Sequence, residues 1–107
     1  MTNFITETDQ LEQLLLLEKF TFVYFKNDRC SVCDSLLPQL KLRTDSWNQE
    51  LYVVDCFDYP EIAAQNLVLT VPALKVYYDG QEVISMLRFV DLSKLENDFL
   101  RINKLIG

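Results

Sequence analysis

Apolar residues along this chain alternate between two repeats, and the changes of repeat delimit its elements. Phe20-Thr21-Phe22-Val23-Tyr24-Phe25 is an almost unbroken apolar run, the mark of a strand covered on both faces. Leu51 to Cys56 reads as another strand, and Asn3 to Ile5 as a short one. Ala73–Tyr78 and Glu82–Leu87 flank Asp79-Gly80, a two-residue hairpin signal that makes them antiparallel neighbours.

Between the strands the repeat lengthens. Cys33, Leu36, Leu37 and Leu40 fall at i, i+3, i+4 and i+7, one face of a helix running from the cysteine pair through about Arg43. Thr6 to Asp9 resembles a capping sequence for a helix carrying Leu11, Leu14 and Leu15. A short helix starts after Asp58, with Pro60 in its first turn and Ala63, Ala64 and Leu67 as its body. Asp91 is a good N-cap for a closing helix whose inner face is Leu92, Leu95, Phe99, Ile102 and Ile106. The order β-α-β-α-β-α-β-β-α predicts an α/β fold: a central mixed sheet of about five strands flanked by about four helices, as one domain over residues 1–107.

Chemistry concentrates at Cys30-Ser31-Val32-Cys33, where the second strand gives way to the second helix. Two thiols three residues apart fit one helical turn, close enough to exchange a disulfide. A helix N-terminus offers N–H groups and a positive dipole end that favour thiolate. Cys33 shares the apolar face and points inward, whereas Cys30 stays at the exposed end. An accessible nucleophile backed by a shielded partner is what thiol–disulfide exchange requires, with Cys30 attacking and Cys33 resolving.

Composition narrows the alternatives. Half of the 107 residues are apolar, enough for a real core, and the net charge of −6 disfavours nonspecific binding to nucleic acid or anionic membranes. The first ten residues carry acids and no basic region, and Leu14 to Leu17 is too short for a signal or membrane segment. The expected location is the cytoplasm, where a CxxC pair is catalytic or metal-binding rather than a structural staple. The chain has no histidine and only three cysteines, so a metal site would need Cys56 with a carboxylate, or two CxxC pairs shared across a dimer. No Ser or Cys triad and no glycine-rich phosphate loop can be assembled.

Three landmarks together resemble the thioredoxin family over nearly the whole length: CSVC at the strand-to-helix junction, Pro38 five residues after Cys33, and Val71-Pro72 before the fourth strand. Tyr77-Tyr78-Asp79-Gly80 resembles the family's hairpin, and Asp55, five residues before Pro60, fits its third strand. The resemblance implies a disulfide reductase that exchanges a Cys30/Cys33 dithiol with protein disulfides in cell redox homeostasis. It implies no cofactor beyond that redox-active disulfide and no metal, and a thioredoxin reductase as electron donor. It makes Pro72 a cis-proline beside Cys30, pairs the Val71 backbone with an extended substrate segment, and places Arg29, Ser31, Val32 and Phe89 with them at the substrate surface. Pro38 is expected to kink its helix near Leu37.

The departures from the family pattern are specific. Thioredoxins carry Trp-Cys-Gly-Pro-Cys followed by a basic residue; here Arg29 precedes the pair and Asp34 follows it, with opposed effects on a Cys30 thiolate. Tyr24 stands where the family keeps a buried Asp, and Val53 where it keeps that Asp's Lys partner, so Cys33 lacks an evident general base and slower resolution is expected. Arg88-Phe89-Val90 replaces a glycine rim, leaving Phe89 either a bulky substrate-contacting edge or core filler. Cys56 reads as a small buried hydrophobe or as a secondary regulatory or dimer-forming thiol. Against the redox reading stands a noncatalytic binding module that has kept the fold.

Overall fold

The computed structural model describes residues 2–17 and 19–106. Its elements run β1 (Thr2–Phe4), α1 (Thr8–Leu15), β2 (Phe20–Lys26), α2 (Ser31–Ser46), β3 (Leu51–Asp55), α3 (Pro60–Gln65), β4 (Ala73–Tyr78), β5 (Gln81–Leu87) and α4 (Leu92–Ile106). The sheet order is β1-β3-β2-β4-β5. β1, β3 and β2 are parallel, whereas β4 is antiparallel to both β2 and β5, so the sheet is mixed as expected.

Strand alternation sorts the core into two layers. Phe20, Phe22 and Tyr24 of β2, with Leu51 and Val53 of β3 and Leu74 and Val76 of β4, meet Cys33 and Leu40 of α2 and Leu95 and Phe99 of α4. The opposite parity, including Val23, Phe25, Val54, Ala73 and Tyr77, meets Leu11 of α1 and Ile62 and Ala63 of α3. β2 is buried at every position because it sits in mid-sheet with helices on both sides.

Local chemistry fixes the ends. Gln10 Oε1 accepts from the N–H groups of Thr6 and Glu7, which places the N-cap of α1 at Glu7. Asp91 Oδ1 accepts from Lys94 N–H at the start of α4. Asp79 and Gly80 both have positive φ, 51° and 78°, the pair a two-residue primed turn demands. Gly80 is required twice over, since a Cβ there would lie 2.8 Å from the Leu15 carbonyl oxygen.

The differences from the sequence reading are small and have causes. β1 begins one residue earlier, and Ile5 follows it with a single bond to the Val53 carbonyl. α2 runs past Arg43 to Ser46 because Thr44 is buried against the sheet and continues the inner face. α3 ends at Gln65, so Leu67 is not part of its body: it adopts φ 59° and is 76% exposed in the turn that follows. Ile106 is also exposed, because α4 extends past the core beneath Phe99 and Ile102. Among the described residues no helix is long and apolar enough to cross a membrane.

Candidate active site

β2 delivers its chain end to one edge of the molecule, and a tight turn converts it into α2. Asn27 accepts there twice, its side-chain oxygen from Arg29 N–H at 2.8 Å and its carbonyl from Cys30 N–H at 3.0 Å. Cys30 is the N-cap of α2, in extended conformation, and Cys33 lies in the first turn. The two are joined as a disulfide, with Cα atoms 5.2 Å apart.

The pair is asymmetric. Cys33 is fully buried, packed in the layer with Tyr24, Val53 and Leu74, while Cys30 is half-buried at the helix mouth. Cys33 N–H donates to Cys30 Sγ at 3.2 Å. An N–H donor and the positive end of a sixteen-residue helix are thus already directed at the sulfur that would carry negative charge after reduction.

Tyr24 occupies the floor. Its hydroxyl donates to the Cys33 carbonyl oxygen at 2.8 Å, and its register partners are Val53 on β3 and Leu74 on β4. Burial, with the Asp34 carboxylate adding to it, pushes the phenol pKa far above its ordinary value, so this hydroxyl stays protonated. It holds the first turn of α2 from below and offers no base. Pro38, inside α2, donates no hydrogen bond to the turn that follows the cysteines.

One wall of the site is an ion cluster that the sequence reading missed. Lys26, at the last position of β2, is almost fully buried with its ammonium 3.0 Å from Asp28 and 3.7 Å from Asp55. Burial disfavours its charge, but the hydrogen bond to Asp28 and the fields of Asp28, Asp55 and Asp34 prevail and raise its pKa. The Lys26 bond in turn holds the Asp28 carboxyl below the usual range. Asp58 lies beside Asp28 and Asp55, so the ammonium pairs with two members of a three-carboxylate cluster. Asp55 also accepts from the N–H groups of Phe57 and Asp58, and Arg29 lies 5.7 Å above the Phe57 ring. These contacts tie the turn before Cys30 to the loop after β3. The only sequence signal for them was a lysine closing a buried apolar strand.

Pro72 is buried and Val71 half-buried, joined by a cis peptide bond. Val71 packs against both core layers, including the one that holds Cys30 and Cys33. Its N–H and carbonyl have no hydrogen-bond partner among the described residues, whereas the Pro72 carbonyl accepts from Arg88 N–H at 2.9 Å. Ser31 and Val32 are exposed on the first turn of α2. Phe89 is 74% exposed, which excludes the core-filling alternative. It shares a small cavity with Val32 and Pro72.

Cys56, one residue past β3, is half-buried and free, and its N–H donates to the Lys26 carbonyl. Burial, reinforced by the Asp55 carboxylate, pushes its thiol up to about 11. At neutral pH it is a poor nucleophile beside a dithiol at a helix N-terminus.

The comparisons with known proteins agree with this geometry. The sequence model of the Thioredoxin family matches residues 2–100. The chain is 34% identical over 96 residues to the thioredoxin-like protein YdfQ of Bacillus subtilis, spanning 89% of this chain and 86% of that protein. Its fold is similar to that of thioredoxin 1 from Thermosipho africanus, with a TM-score of 0.76, 30% identity and coverage of 79% and 96% of the two chains. Fasciola hepatica thioredoxin superposes with a TM-score of 0.83 at 22% identity, over 92% of this chain and 97% of that one. With the parallel-then-antiparallel sheet and the cysteine pair at the head of α2, the family match over nearly the whole sequence establishes that this chain belongs to the thioredoxin family, whose members are thiol–disulfide oxidoreductases.

Proposed function

We propose that this protein reduces protein disulfides, with Cys30 as nucleophile and Cys33 as resolving thiol. The observation that carries the reading is the asymmetry of the pair: Cys30 is reachable at a helix N-terminus with an N–H on its sulfur, and Cys33 is sealed behind it. The Cys30 thiolate attacks one substrate sulfur, forming a mixed disulfide and expelling the other sulfur as thiolate. Cys33, deprotonated, then attacks Cys30 Sγ, closing the 30–33 disulfide and releasing the second substrate thiolate. Two electrons pass from the dithiol to the substrate, and solvent protonates the leaving thiolates.

The open N–H and carbonyl of Val71 support a place for an extended substrate strand, with Pro72, Arg29, Ser31, Val32 and Phe89 around it. Main-chain pairing is blind to most side chains, so it suits a range of protein substrates. The reducing direction, a cytoplasmic setting and a thioredoxin reductase as electron donor belong to the same proposal. Trapping tests it. Cys33→Ser mixed with a protein disulfide accumulates an adduct linked through Cys30, found by mass after digestion. An adduct through Cys56, or none under conditions where free thiols react, overturns the assignment.

The second reading is a binding module that has kept the fold. Tyr24 motivates it, since a protonated phenol replaces the family's internal acid–base group beneath Cys33.

A further inference from the structure

Arg88, the residue after β5, adopts a backbone conformation that residues with a side chain rarely take. Its φ is 71°, and unlike Gly80 it bears a Cβ that disfavours that region. Backbone strain of this kind persists where the surroundings enforce it, and here its N–H is held by the Pro72 carbonyl at 2.9 Å. The consequence is positional. The turn at Arg88 leaves Phe89 at the rim, 74% exposed, beside the cis-proline loop and the first turn of α2.

Phe89 and Arg88 close one side of a cavity of about 200 Å³, whose other walls include Val32, Leu36, Pro72 and Val90. That volume is below the range of sites that enclose a whole small molecule. It matches the scale of one side chain, and five of its eight lining residues are apolar, with Ser35 and Gln39 supplying polar groups beside Arg88. The cavity also borders the peptide bond whose Val71 backbone groups stand open. An extended segment paired with Val71 would project a neighbouring side chain toward it. Arg88 stands at the mouth as an exposed cation with no ion-pair partner among the described residues.

We propose that the Arg88–Phe89 turn forms a substrate side-chain subsite. It selects protein disulfides whose cysteine is flanked by a large apolar residue, with an acidic residue favoured beside it. The proposal rests on the reductase reading, and adds to it a preference that main-chain pairing cannot supply.

Disulfide-linked peptides that carry Leu or Ala next to the reacting cysteine, each with Glu or Gln at the following position, provide the test, with kcat/KM compared within each protein so that a general loss of activity cancels. The wild-type protein favours Leu over Ala by about tenfold. Phe89→Ala brings that ratio to within about twofold of one, and Phe89→Leu retains most of it. Arg88→Gln removes the gain from an adjacent Glu while keeping the Leu preference. Equal rates on the Leu and Ala peptides in the wild-type protein overturn the subsite, as does a preference that survives Phe89→Ala. Failure of the reductase reading looks different: the wild-type protein would then reduce no peptide and no small aromatic disulfide either, and the subsite would fall with it.

Discussion

Replacing Cys30 by Ser abolishes turnover of protein disulfides, a loss of at least about 10³-fold in kcat/KM, because the attacking sulfur itself is removed. Cys33→Ser loses steady-state turnover to a similar extent while still forming the first mixed disulfide, since only release depends on it. Cys56→Ser has little effect, because its thiol is held protonated outside the pair. The pH dependence of release carries a second signature. The chain has no histidine, and Tyr24 beneath Cys33 stays protonated. Neither a histidine nor Tyr24 therefore serves as a base that ionises between pH 5 and 8, and the rate is expected to rise smoothly with the thiolate fraction. Stopped-flow release of a preformed mixed disulfide across that range measures it, and a plateau with an inflection near neutrality would show a general base acting on Cys33 and overturn the expectation.

Phe99→Ala is the largest expected stability change away from the cysteines. Phe99 is 1% exposed, and its ring lies 4.9 Å from Phe20, 5.2 Å from Phe22 and 4.7 Å from Trp47, stacked on the last of these. It joins β2, the end of α2 and α4, so truncation leaves a cavity that no single element can close. Such truncations cost about 3–5 kcal/mol, a large share of the ~5–15 kcal/mol that holds a domain of this size. The expected fall in melting temperature is at least about 10 °C. Leu105→Ala, at a side chain 80% exposed on the same helix, should stay within about 0.5 kcal/mol of the parent. Denaturant unfolding of the oxidised proteins compares the two, and equal midpoints would show that the aromatic cluster does not carry α4.

How much of this was legible in the sequence depended on the kind of signal. The period-two and helical patterns, the Asp79-Gly80 turn and the Asp91 cap located every element to within a few residues, because each is a local rule obeyed locally. Leu67 misled for a similar reason: its spacing continued α3, but the chain turns at a left-handed residue instead. The two strand lysines were opaque. Neither Lys26 nor Lys75 drew a reading from the sequence, yet both are buried, neutralised by Asp28 with Asp55 and by Glu82. Their carboxylates come from a turn, a neighbouring strand end and the next strand, partners a local reading does not supply.

The site divided along the same line. The cysteines, Val71 and Pro72 stood out as motifs. The bond from Tyr24 to the Cys33 carbonyl depends on which face of β2 meets α2, and the Arg88 turn on a backbone angle that residue identity argues against. These are the places where this chain departs most from the family pattern.

Equilibration of the protein in defined thiol buffers asks whether Cys30 and Cys33 form a reducing redox couple, as the reductase reading requires. The disulfide is scored by mass after acid quenching and alkylation, with Cys33→Ser as the control that cannot form it. The expected result is a reversible two-electron transition at Cys30–Cys33 with a potential near or below the cytosolic glutathione poise. A pair that shows no reversible 30–33 disulfide at any poise, or one as strongly oxidising as a dedicated disulfide donor, would contradict it.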